Sequence, residues 1–247
     1  MIVKTPDELK FMRKAGEITK NALELAKSLI KPNISTLELD KKIKEYIINC
    51  GAKPSFLNYN GFPNSICASP NEMVVHGIPS EKVILKEGDI ISIDVGVIYK
   101  GYNGDAARTF PVGKISDEKA RLIKVTEECF FEGISKLKVG ARLGELSNAI
   151  QVHAEKNGYS VVRELVGHGI GTHMHEWPNV PNYGKATDGP ILVENICLAV
   201  EPMINLGKKD ICMLSDGWGI VTRDGKPSAH YENTVILTLT GVEILTL

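Results

Sequence analysis

The sequence predicts an α+β fold in which two similar halves form one domain, residues 1–247, with an internal repeat of approximately 1–113 and 114–247. Each half starts with two amphipathic helical segments and continues through a region rich in Gly and Pro into β-branched strands. Matching residues also recur 107 positions apart, as Thr19 and Thr126 do. Because two copies are too few for a solenoid, we expect them to pack as one pseudo-symmetric unit.

The first two helices are indicated by their end signals. Thr5 supplies a capping hydroxyl, and Glu8, three positions later, completes a capping box with a proline between them. Apolar residues then recur with a helical period as far as Pro32, which cannot continue the helix. A second helix is predicted to begin after Ser35 and to end near Gly51, a residue typical of C-terminal caps.

Strand signals follow the helices in both halves. Residues 53–79 form a strand and loop region rich in Pro, Asn and Gly, and residues 90–99 are strongly β-branched. In the second half, the same order predicts helices over 117–137 and 143–157. Strands are then predicted near 191–204 and 230–247.

The repeat rests on matches that share one offset across helices and strands. Gly51 falls on Gly158, and Asp94 falls on Glu201 without any gap in between. A constant offset over several kinds of segment favours an internal duplication. The alternative is two α+β halves that share only their hydrophobic patterning.

Composition and charge exclude several classes of protein. The 29 basic and 30 acidic residues nearly balance, which argues against sequence-specific binding of nucleic acid, and 43% hydrophobic residues is typical of a globular protein. Five cysteines without a C-x-x-C pair indicate a reducing compartment. No signal peptide fits the charged N-terminus, and no apolar run approaches the roughly 20 residues that cross a bilayer. We therefore expect a soluble cytoplasmic protein without membrane contact.

Four acidic residues interrupt apolar strands, where an isolated carboxylate must be paired, protonated or bound to a cation. Asp94 and Glu201 occupy equivalent positions of the repeat, and Glu232 enters a strand near the C-terminus. Asp105 lies eleven residues after Asp94, and a hairpin at residues 100–101 would set the two aspartates nearly opposite each other. Each acid alone could be a strand-edge residue that faces water. Four together favour a shared site.

Three histidines are flanked by glycine or proline in segments predicted to be loops. His168 lies in Gly-His-Gly-Ile-Gly, His175 follows seven residues later, and His76 precedes Gly-Ile-Pro. A single loop histidine is more often a surface residue than a ligand, but three beside four strand acids predict a hydrolytic metal centre. The other histidines show a helix-surface position or no pattern, and they are His153, His173 and His230.

The order and spacing of five residues resembles the metal-ligand pattern of the methionine aminopeptidases. These residues are Asp94, Asp105, His168, Glu201 and Glu232. Residues 71–79 resemble that family's histidine loop, and the resemblance runs from the first helix to the last strand. It is closest to the bacterial type I enzymes. The resemblance implies the pita-bread fold, two pseudo-symmetric α+β halves with a central antiparallel sheet covered by helices.

The resemblance implies two divalent metal ions, and Mn, Fe, Co and Zn all suit oxygen ligands with one imidazole. Asp94 would chelate one ion, while Asp105 and Glu232 would bridge both. His168 and Glu201 would complete the other. The ions would balance the charge of the four carboxylates and lower the pKa of the attacking water, with Glu201 as a proton shuttle.

The catalytic residues implied besides Glu201 are two histidines that act on the substrate. His76 would contact the scissile amide, and His175 would donate to the carbonyl oxygen. The implied substrate-binding residues are Tyr59, Phe62, Cys67, His76, Met174, His175 and Trp218. The implied reaction removes the initiator methionine from nascent proteins when the second residue is small. Nascent polypeptide N-termini would be the partners, with the ribosome as one place of encounter, and the enzyme would be a monomer.

Some residues depart from the family's usual pattern. The loop over residues 172–178 carries His173, Met174 and Trp177 where the family commonly has other residue types, and Phe56 stands where a small residue is common. These positions affect the shape of the pocket and leave the five ligands intact.

Two alternatives remain open from the sequence. One is a proline-directed peptidase of the same fold, although such enzymes usually carry an extra N-terminal domain. The other is a non-catalytic binding module, although such proteins normally lose ligands.

Overall fold

The computed structural model describes residues 4–247, and its elements follow the same order in each half. In the first half these elements are α1 (Pro6–Leu29), α2 (Thr36–Asn49), β1 (Lys53–Pro54), β2 (Cys67–Pro70), β3 (Met73–Val75), β4 (Ile90–Tyr99) and β5 (Tyr102–Pro111). The second half contains α3 (Asp117–Ile134), α4 (Leu143–Lys156), β6 (Ser160–Val161), β7 (Gly167–Gly169), β8 (Glu176–Val180), β9 (Cys197–Val200), β10 (Met203–Asn205), β11 (Ile211–Met213), β12 (Ile220–Thr222), β13 (Ser228–His230), β14 (Asn233–Thr238) and β15 (Gly241–Ile244).

The helix starts predicted from the sequence are present. Thr5 accepts a hydrogen bond from the backbone N–H of Glu8, and the Glu8 carboxylate accepts one from the N–H of Thr5, which completes the capping box. Ser35 caps α2 in the same way through its hydroxyl. Each side chain satisfies a donor that the first helical turn would otherwise leave without a partner. Helix α3 ends at Ile134, earlier than the predicted residue 137.

Two antiparallel sheets carry most of the strands. In one, β4 pairs with β5 on one side and with β1 and β2 on the other. In the other, the order is β15-β14-β9-β7-β8. Two smaller sheets have the orders β13-β10-β6 and β11-β12-β3.

The two large sheets meet where β5 approaches the start of β14. The backbones of Ala107 and Glu232 exchange hydrogen bonds of 2.9 and 3.4 Å. The hydroxyl of Thr234 accepts from the N–H of Asp105 and donates to its carbonyl oxygen, both at 2.9 Å. This junction places acids from both halves of the chain beside one another.

The offset of 107 residues recurs in the structure. Helix α4 corresponds to α2 and strand β6 to β1, residue for residue. Isolated bridges join Ser35 to Ile84 and Arg142 to Ile191, which are equivalent pairs. Helix bounds and isolated bridges thus recur at the same offset in both halves, although Arg142, unlike Ser35, does not cap its helix with its side chain. The duplication itself and the repeat boundaries stay predictions.

The strands near 191–204 and 230–247 are shorter than predicted. Strand β9 ends at Val200 and β10 begins at Met203, since Pro202 has no N–H to donate to a neighbouring strand. Glu201 therefore lies in a break between strands. Glu232 likewise lies between β13 and β14 and not within a strand.

Each helix pair covers one sheet with its apolar face. Ile18 of α1 and Ile43 of α2 pack with Ile93 of β4, while Phe130 of α3 and Ile150 of α4 pack in the core of the second half. Burial of such faces supplies most of the driving force for folding. Across residues 4–247, no helix combines the length and apolar character that spanning a membrane would take.

Candidate metal centre

Asp94 and Asp105 project from the two arms of the β4–β5 hairpin. The turn at residues 100–101 is present as predicted, with φ of +51° at Lys100 and +86° at Gly101. Asp105 pairs with Gly96 and Asp94 pairs with Ala107, so the aspartates, which were expected nearly opposite each other, are diagonal neighbours on the two strands. They are offset by two residues, and therefore lie on the same face of the sheet, because side chains alternate along a strand.

His168 lies in strand β7 and is 5% exposed, so the prediction of a reachable loop histidine is wrong. Its flanking glycines serve close packing, since a Cβ at Gly167 would overlap the carbonyl oxygen of Ala199 and one at Gly169 would lie 2.7 Å from that of Trp177. Atom Nδ1 of His168 lies 2.9 Å from the carbonyl oxygen of Gly169. A carbonyl only accepts, so Nδ1 carries the proton and Nε2 has a free lone pair.

The free Nε2 of His168 faces the carboxylates of Glu201, in the break between β9 and β10, and of Asp105, in strand β5. It lies 3.6 Å from Oε1 of Glu201 and 3.9 Å from Oδ2 of Asp105. Asp105, His168 and Glu232 each offer a ligand atom, and these three atoms lie within 4.8 Å of one another. An ion placed among them would receive two carboxylate oxygens and one imidazole nitrogen.

Three buried carboxylate oxygens in this cluster have no hydrogen-bond partner among the described residues. They are Oδ1 of Asp94, Oδ1 of Asp105 and Oε1 of Glu232. An unpartnered buried carboxylate must be neutral or bound to a cation. The donor set of hard oxygens and one imidazole therefore fits divalent metal ions.

Burial raises the pKa of all four acids, and repulsion by neighbouring acids adds to the shift of Asp94, Glu201 and Glu232. Burial is the main cause for Asp94 and for Asp105, whose pKa rises to about 7, and the charge of Asp105 adds to the shift of Asp94. Burial followed by the Asp105 charge raises the pKa of Glu201 and of Glu232. In contrast, burial lowers the pKa of His168 to about 4, which keeps its imidazole neutral. Without cations, the acids therefore retain protons that metal ions would displace.

The cluster opens into a cavity of about 210 Å³ that contains nearly all the predicted site residues. Its walls are formed by Phe56, Tyr59, Asn60, Phe62, Cys67, His76, Asp94, Asp105, His168, His175, Glu201, Trp218 and Glu232. The structure thus brings together residues that are as much as 176 positions apart, from Phe56 to Glu232. Met174 is not among the lining residues; it is 4% exposed and packs against Phe56 and Tyr59.

His76 lines the same cavity as the candidate metal ligands and Trp218. Its φ of +60° is unusual for a residue with a Cβ, and its ring meets Trp218 edge-on with centroids 6.4 Å apart. The glycine after it is required by packing, since a Cβ at Gly77 would overlap the carbonyl oxygen of Ala68. Burial, followed by the charge of His175, lowers the pKa of His76.

His175 lies at the mouth of the cavity against the ring of His168, with centroids 4.3 Å apart. Its Nδ1 lies 2.7 Å from the hydroxyl of Tyr59. The loop that carries His175 is held by a buried ion pair, in which the ammonium of Lys4 lies 2.6 Å from the carboxylate of Glu176. This arrangement fixes the loop next to the metal cluster.

Two residues that the sequence interpretation left aside lie directly behind the acids. Arg108 donates to the carbonyl oxygen of Glu232 and to Oδ1 of Asn233, and its guanidinium covers the ring of Tyr231 at 4.1 Å. His230 is 2% exposed and approaches both glutamates. The sequence contained a signal for each of these residues. Arg108 is an arginine inside an apolar strand, and His230 lies two positions before a glutamate in an apolar segment.

Comparison with known proteins agrees with this geometry. Residues 10–239 match the profile of Metallopeptidase family M24. The methionine aminopeptidase of Clostridium acetobutylicum is 51% identical over 247 residues, which cover 100% of this chain and 99% of that protein. That of Clostridium perfringens is 52% identical with the same coverage.

The fold of this chain is also similar to that of a solved structure. The crystal structure of methionine aminopeptidase from Rickettsia prowazekii superposes with a TM-score of 0.98 at 43% identity, covering 100% of both chains. The fold is therefore the pita-bread fold that the sequence resemblance implied. With the profile match and the full-length relatives, the chain belongs to metallopeptidase family M24 and, within it, to the methionine aminopeptidases.

Proposed function

We propose that this enzyme removes the initiator methionine from nascent proteins whose second residue is small, and that it does so with two divalent metal ions. The observation that carries the proposal is the group of unpartnered buried carboxylate oxygens that faces His168 in the same cavity as an apolar pocket. Such a group needs cations to be stable when ionised. It adjoins a space that a small apolar side chain can enter.

The metal ions would be held by the five side chains that the sequence singled out. Asp94 would chelate one ion, Asp105 and Glu232 would contact both, and His168 with Glu201 would complete the second. When bound, the ions act as Lewis acids and lower the pKa of water. The free lone pair on Nε2 of His168 supports its part in this assignment. Mn, Fe, Co and Zn all suit the donor set.

Glu201 is the proposed proton shuttle between the attacking water and the leaving amine. Its side chain is 14% exposed, whereas that of Glu232 is 2% exposed, so Glu201 is the more accessible of the two glutamates. Burial, followed by the charge of Asp105, raises its pKa, which favours proton uptake from the attacking water.

The two histidines of the cavity would act on the substrate. If the Tyr59 hydroxyl donates to Nδ1 of His175, the proton of that imidazole sits on Nε2. That N–H can then stabilise negative charge that develops on the substrate carbonyl. His76, which lines the same cavity as the ligands and Trp218, would contact the amide that is cleaved.

The apolar part of the cavity would bind the methionine side chain. The rings of Phe62 and Trp218 pack edge to face with centroids 5.1 Å apart, and Cys67 is buried beside them. An unbranched thioether is flexible and packs well against such aromatic rings. Met174 supports this wall from behind by its contact with Phe56 and Tyr59.

The proposal is tested with three peptides at matched metal concentration. We expect cleavage of Met-Ala-Ser, slow cleavage of Leu-Ala-Ser and none of acetyl-Met-Ala-Ser, whose amine is masked. A pocket of this kind discriminates by roughly 10–200-fold for a small change in side chain. Equal rates for the Met and Leu peptides would indicate a general aminopeptidase. Elemental analysis of the loaded protein should find two ions per chain, and a protein that binds no metal would exclude the proposal.

The biological setting follows from the same proposal. Nascent polypeptide N-termini would be the partners, met at the ribosome or after release. A monomeric state and a cytoplasmic location stay predictions.

A further inference from the structure

His230 is a buried imidazole for which neither the sequence resemblance nor the proposed mechanism assigns a role. Its side chain is 2% exposed. Both ring nitrogens, Nδ1 and Nε2, have no hydrogen-bond partner among the described residues. Buried polar atoms are nearly always partnered, so this ring needs a partner that the described hydrogen bonds do not supply.

The position of His230 is built by its backbone. The N–H of His230 donates to the hydroxyl of Thr109 at 2.8 Å, and that hydroxyl donates back to the carbonyl oxygen of His230 at 2.9 Å. In strand β13, His230 also pairs with Met203 of β10. Contacts with strands β5 and β10 therefore fix the backbone of His230, and this fixed backbone constrains the position of its ring.

The ring points at the metal-binding glutamates. Nε2 of His230 lies 3.8 Å from Oε2 of Glu201 and 3.9 Å from Oε2 of Glu232. These separations exceed a hydrogen bond by less than ~1 Å. The terminal torsion of a glutamate is broad, so a small rotation of the carboxylate closes such a gap.

The carboxylate of Glu201 lies between the imidazoles of His168 and His230. The two rings differ in whether they have a lone pair or an N–H group available. His168 faces Oε1 and uses its own N–H on the carbonyl oxygen of Gly169, which leaves a lone pair for a cation. His230 faces Oε2, and no carbonyl or other acceptor among residues 4–247 is bonded to its ring N–H. The first imidazole is thus suited to bind a metal ion, and the second to donate to the carboxylate.

The same division holds at Glu232. Its unpartnered buried oxygen is Oε1, whereas His230 approaches Oε2. The cluster of ligand atoms within 4.8 Å contains Asp105, His168 and Glu232 but not His230. One oxygen can therefore face an ion while the other accepts from the imidazole.

We propose that His230 is a positioning residue whose Nε2–H donates to the Glu201 carboxylate, with Glu232 as its alternative acceptor, and so orients these ligands for the metal ions. The inference rests on the proposed metal site. Hydrogen bonds to ligating carboxylates fix their orientation, and loss of such a partner typically weakens metal affinity about 10–100-fold.

Two substitutions separate donation from packing. His230→Gln keeps an N–H donor at the reach of Nε2, while His230→Leu keeps the volume without a donor. Chelator-stripped proteins are titrated with Mn²⁺ and Co²⁺ by calorimetry, and the visible absorption spectrum of the Co²⁺ forms is recorded. We expect about 10–100-fold weaker binding in His230→Leu and near wild-type binding in His230→Gln. His153→Leu, which removes a histidine of α4 bonded to Glu128, is the matched control.

Other outcomes would overturn the inference. Wild-type affinity in His230→Leu would make the imidazole a packing residue. Equal weakening in both variants, with a changed Co²⁺ spectrum, would make it a metal ligand. Failure of the wild-type protein to bind metal would instead contradict the proposed function. Because His230→Leu could fail to fold, the long-range proton–nitrogen NMR spectrum of the wild-type Zn²⁺ form provides a second test. It should show Nε2 protonated and Nδ1 not, and the reverse would exclude donation from Nε2.

Discussion

The carboxylates of the candidate metal centre are buried at a considerable electrostatic cost. Glu232 is 2% exposed and Asp105 is 4% exposed, and the basic side chains nearest to them are the imidazoles of His230 and His168, each 3.9 Å away. Burial lowers the pKa of both imidazoles, so neither supplies a positive charge. Arg108 lies close by but donates to backbone and amide oxygens, not to a carboxylate. A structural role would favour apolar residues here, because replacing buried charges with apolar groups is commonly neutral or stabilising.

Glu232→Gln tests the central ligand. We expect activity to fall by several orders of magnitude and fewer than two tight ions to be bound, because the amide cannot supply the charge that two cations share. The stripped variant should unfold at a temperature no lower than the stripped wild type, since a repelled acid has been removed. Elemental analysis, peptide hydrolysis and calorimetry measure these effects, with the surface change Glu24→Gln as control. Near-normal turnover in Glu232→Gln would contradict the assignment of two metal ions to this site.

Tyr59→Phe tests the orientation of His175. The change removes the hydroxyl that lies 2.7 Å from Nδ1 of His175 and keeps the ring that lines the pocket. We expect kcat for Met-Ala-Ser to fall roughly 10-fold, about the worth of one hydrogen bond, with KM and metal content little changed. Tyr102→Phe, which removes a hydroxyl bonded to Glu8 instead, should leave kcat unaltered. A rise in KM with constant kcat would assign Tyr59 to substrate binding alone.

The segment that carries Met174 and His175 is held by partners far away in the sequence. The carboxylate of Glu176 accepts from Lys4 at 2.6 Å, and the side-chain amide of Asn103 donates to the carbonyl oxygen of Gly171 at 3.0 Å. Lys4, which lies just before α1, and Asn103 of strand β5 therefore both position this loop. Its geometry is a property of several elements and not of its own sequence.

Lys4→Met tests the hold of the N-terminal segment on this loop. The ammonium and the Glu176 carboxylate are 2% and 4% exposed, so the change leaves a buried charge unpaired. We expect the free energy of unfolding to fall by about 3–5 kcal/mol and kcat to fall because His175 is displaced. Urea denaturation and peptide hydrolysis measure the two effects.

The control for Lys4→Met is a surface ion pair near the start of helix α1. Lys10→Met breaks the pair with Asp7, whose side chains are 72% and 83% exposed, and the loss should be less than about 1 kcal/mol. Equal effects of the two substitutions would show that the buried pair does not hold the loop.

The five candidate metal ligands come together where the two halves of the chain meet. Asp94 and Asp105 come from the first half, and His168, Glu201 and Glu232 come from the second. The exchange of backbone hydrogen bonds between Ala107 and Glu232 joins them. Metal binding should therefore stabilise the whole fold and not a single loop.

Stability of the metal-free protein should fall as pH rises from about 4, where the unfolded acids release their protons, through the raised pKa values of the folded acids. The pKa of the four acids is raised in the fold, to about 7 for Asp105, so the folded state holds protons that the unfolded state has released. The stabilising protons are lost as pH rises through the raised pKa values. Buried histidines with lowered pKa act oppositely, but only below their unfolded pKa of about 6.5.

The measurement is the unfolding temperature between about pH 6.5 and about pH 8.5 by scanning calorimetry, with and without Mn²⁺. We expect a decline in the stripped protein, a rise on adding metal that grows with pH, and a shallower decline for Asp105→Asn. A stripped protein whose unfolding temperature is constant over this range would contradict the raised pKa values.

The sequence by itself determined the helices, the order of elements and the identity of the five candidate ligands. Helix starts depend on contacts within one turn, as between Thr5 and Glu8, and hydrophobic periodicity is likewise local. An acid among β-branched residues, such as Asp94, is also visible without a structure, because its burial is unfavourable unless it has a function.

Only the tertiary structure decided the setting of these residues. It placed His168 in a buried strand, because glycines that permit a loop also permit close packing against Ala199. It moved Met174 behind the pocket wall and brought His230 to the metal ligands. These outcomes depend on strand pairing between segments far apart in the chain. The register of such strands, and the distance between the side chains that they carry, are set by the packing of both halves. No local sequence pattern encodes them.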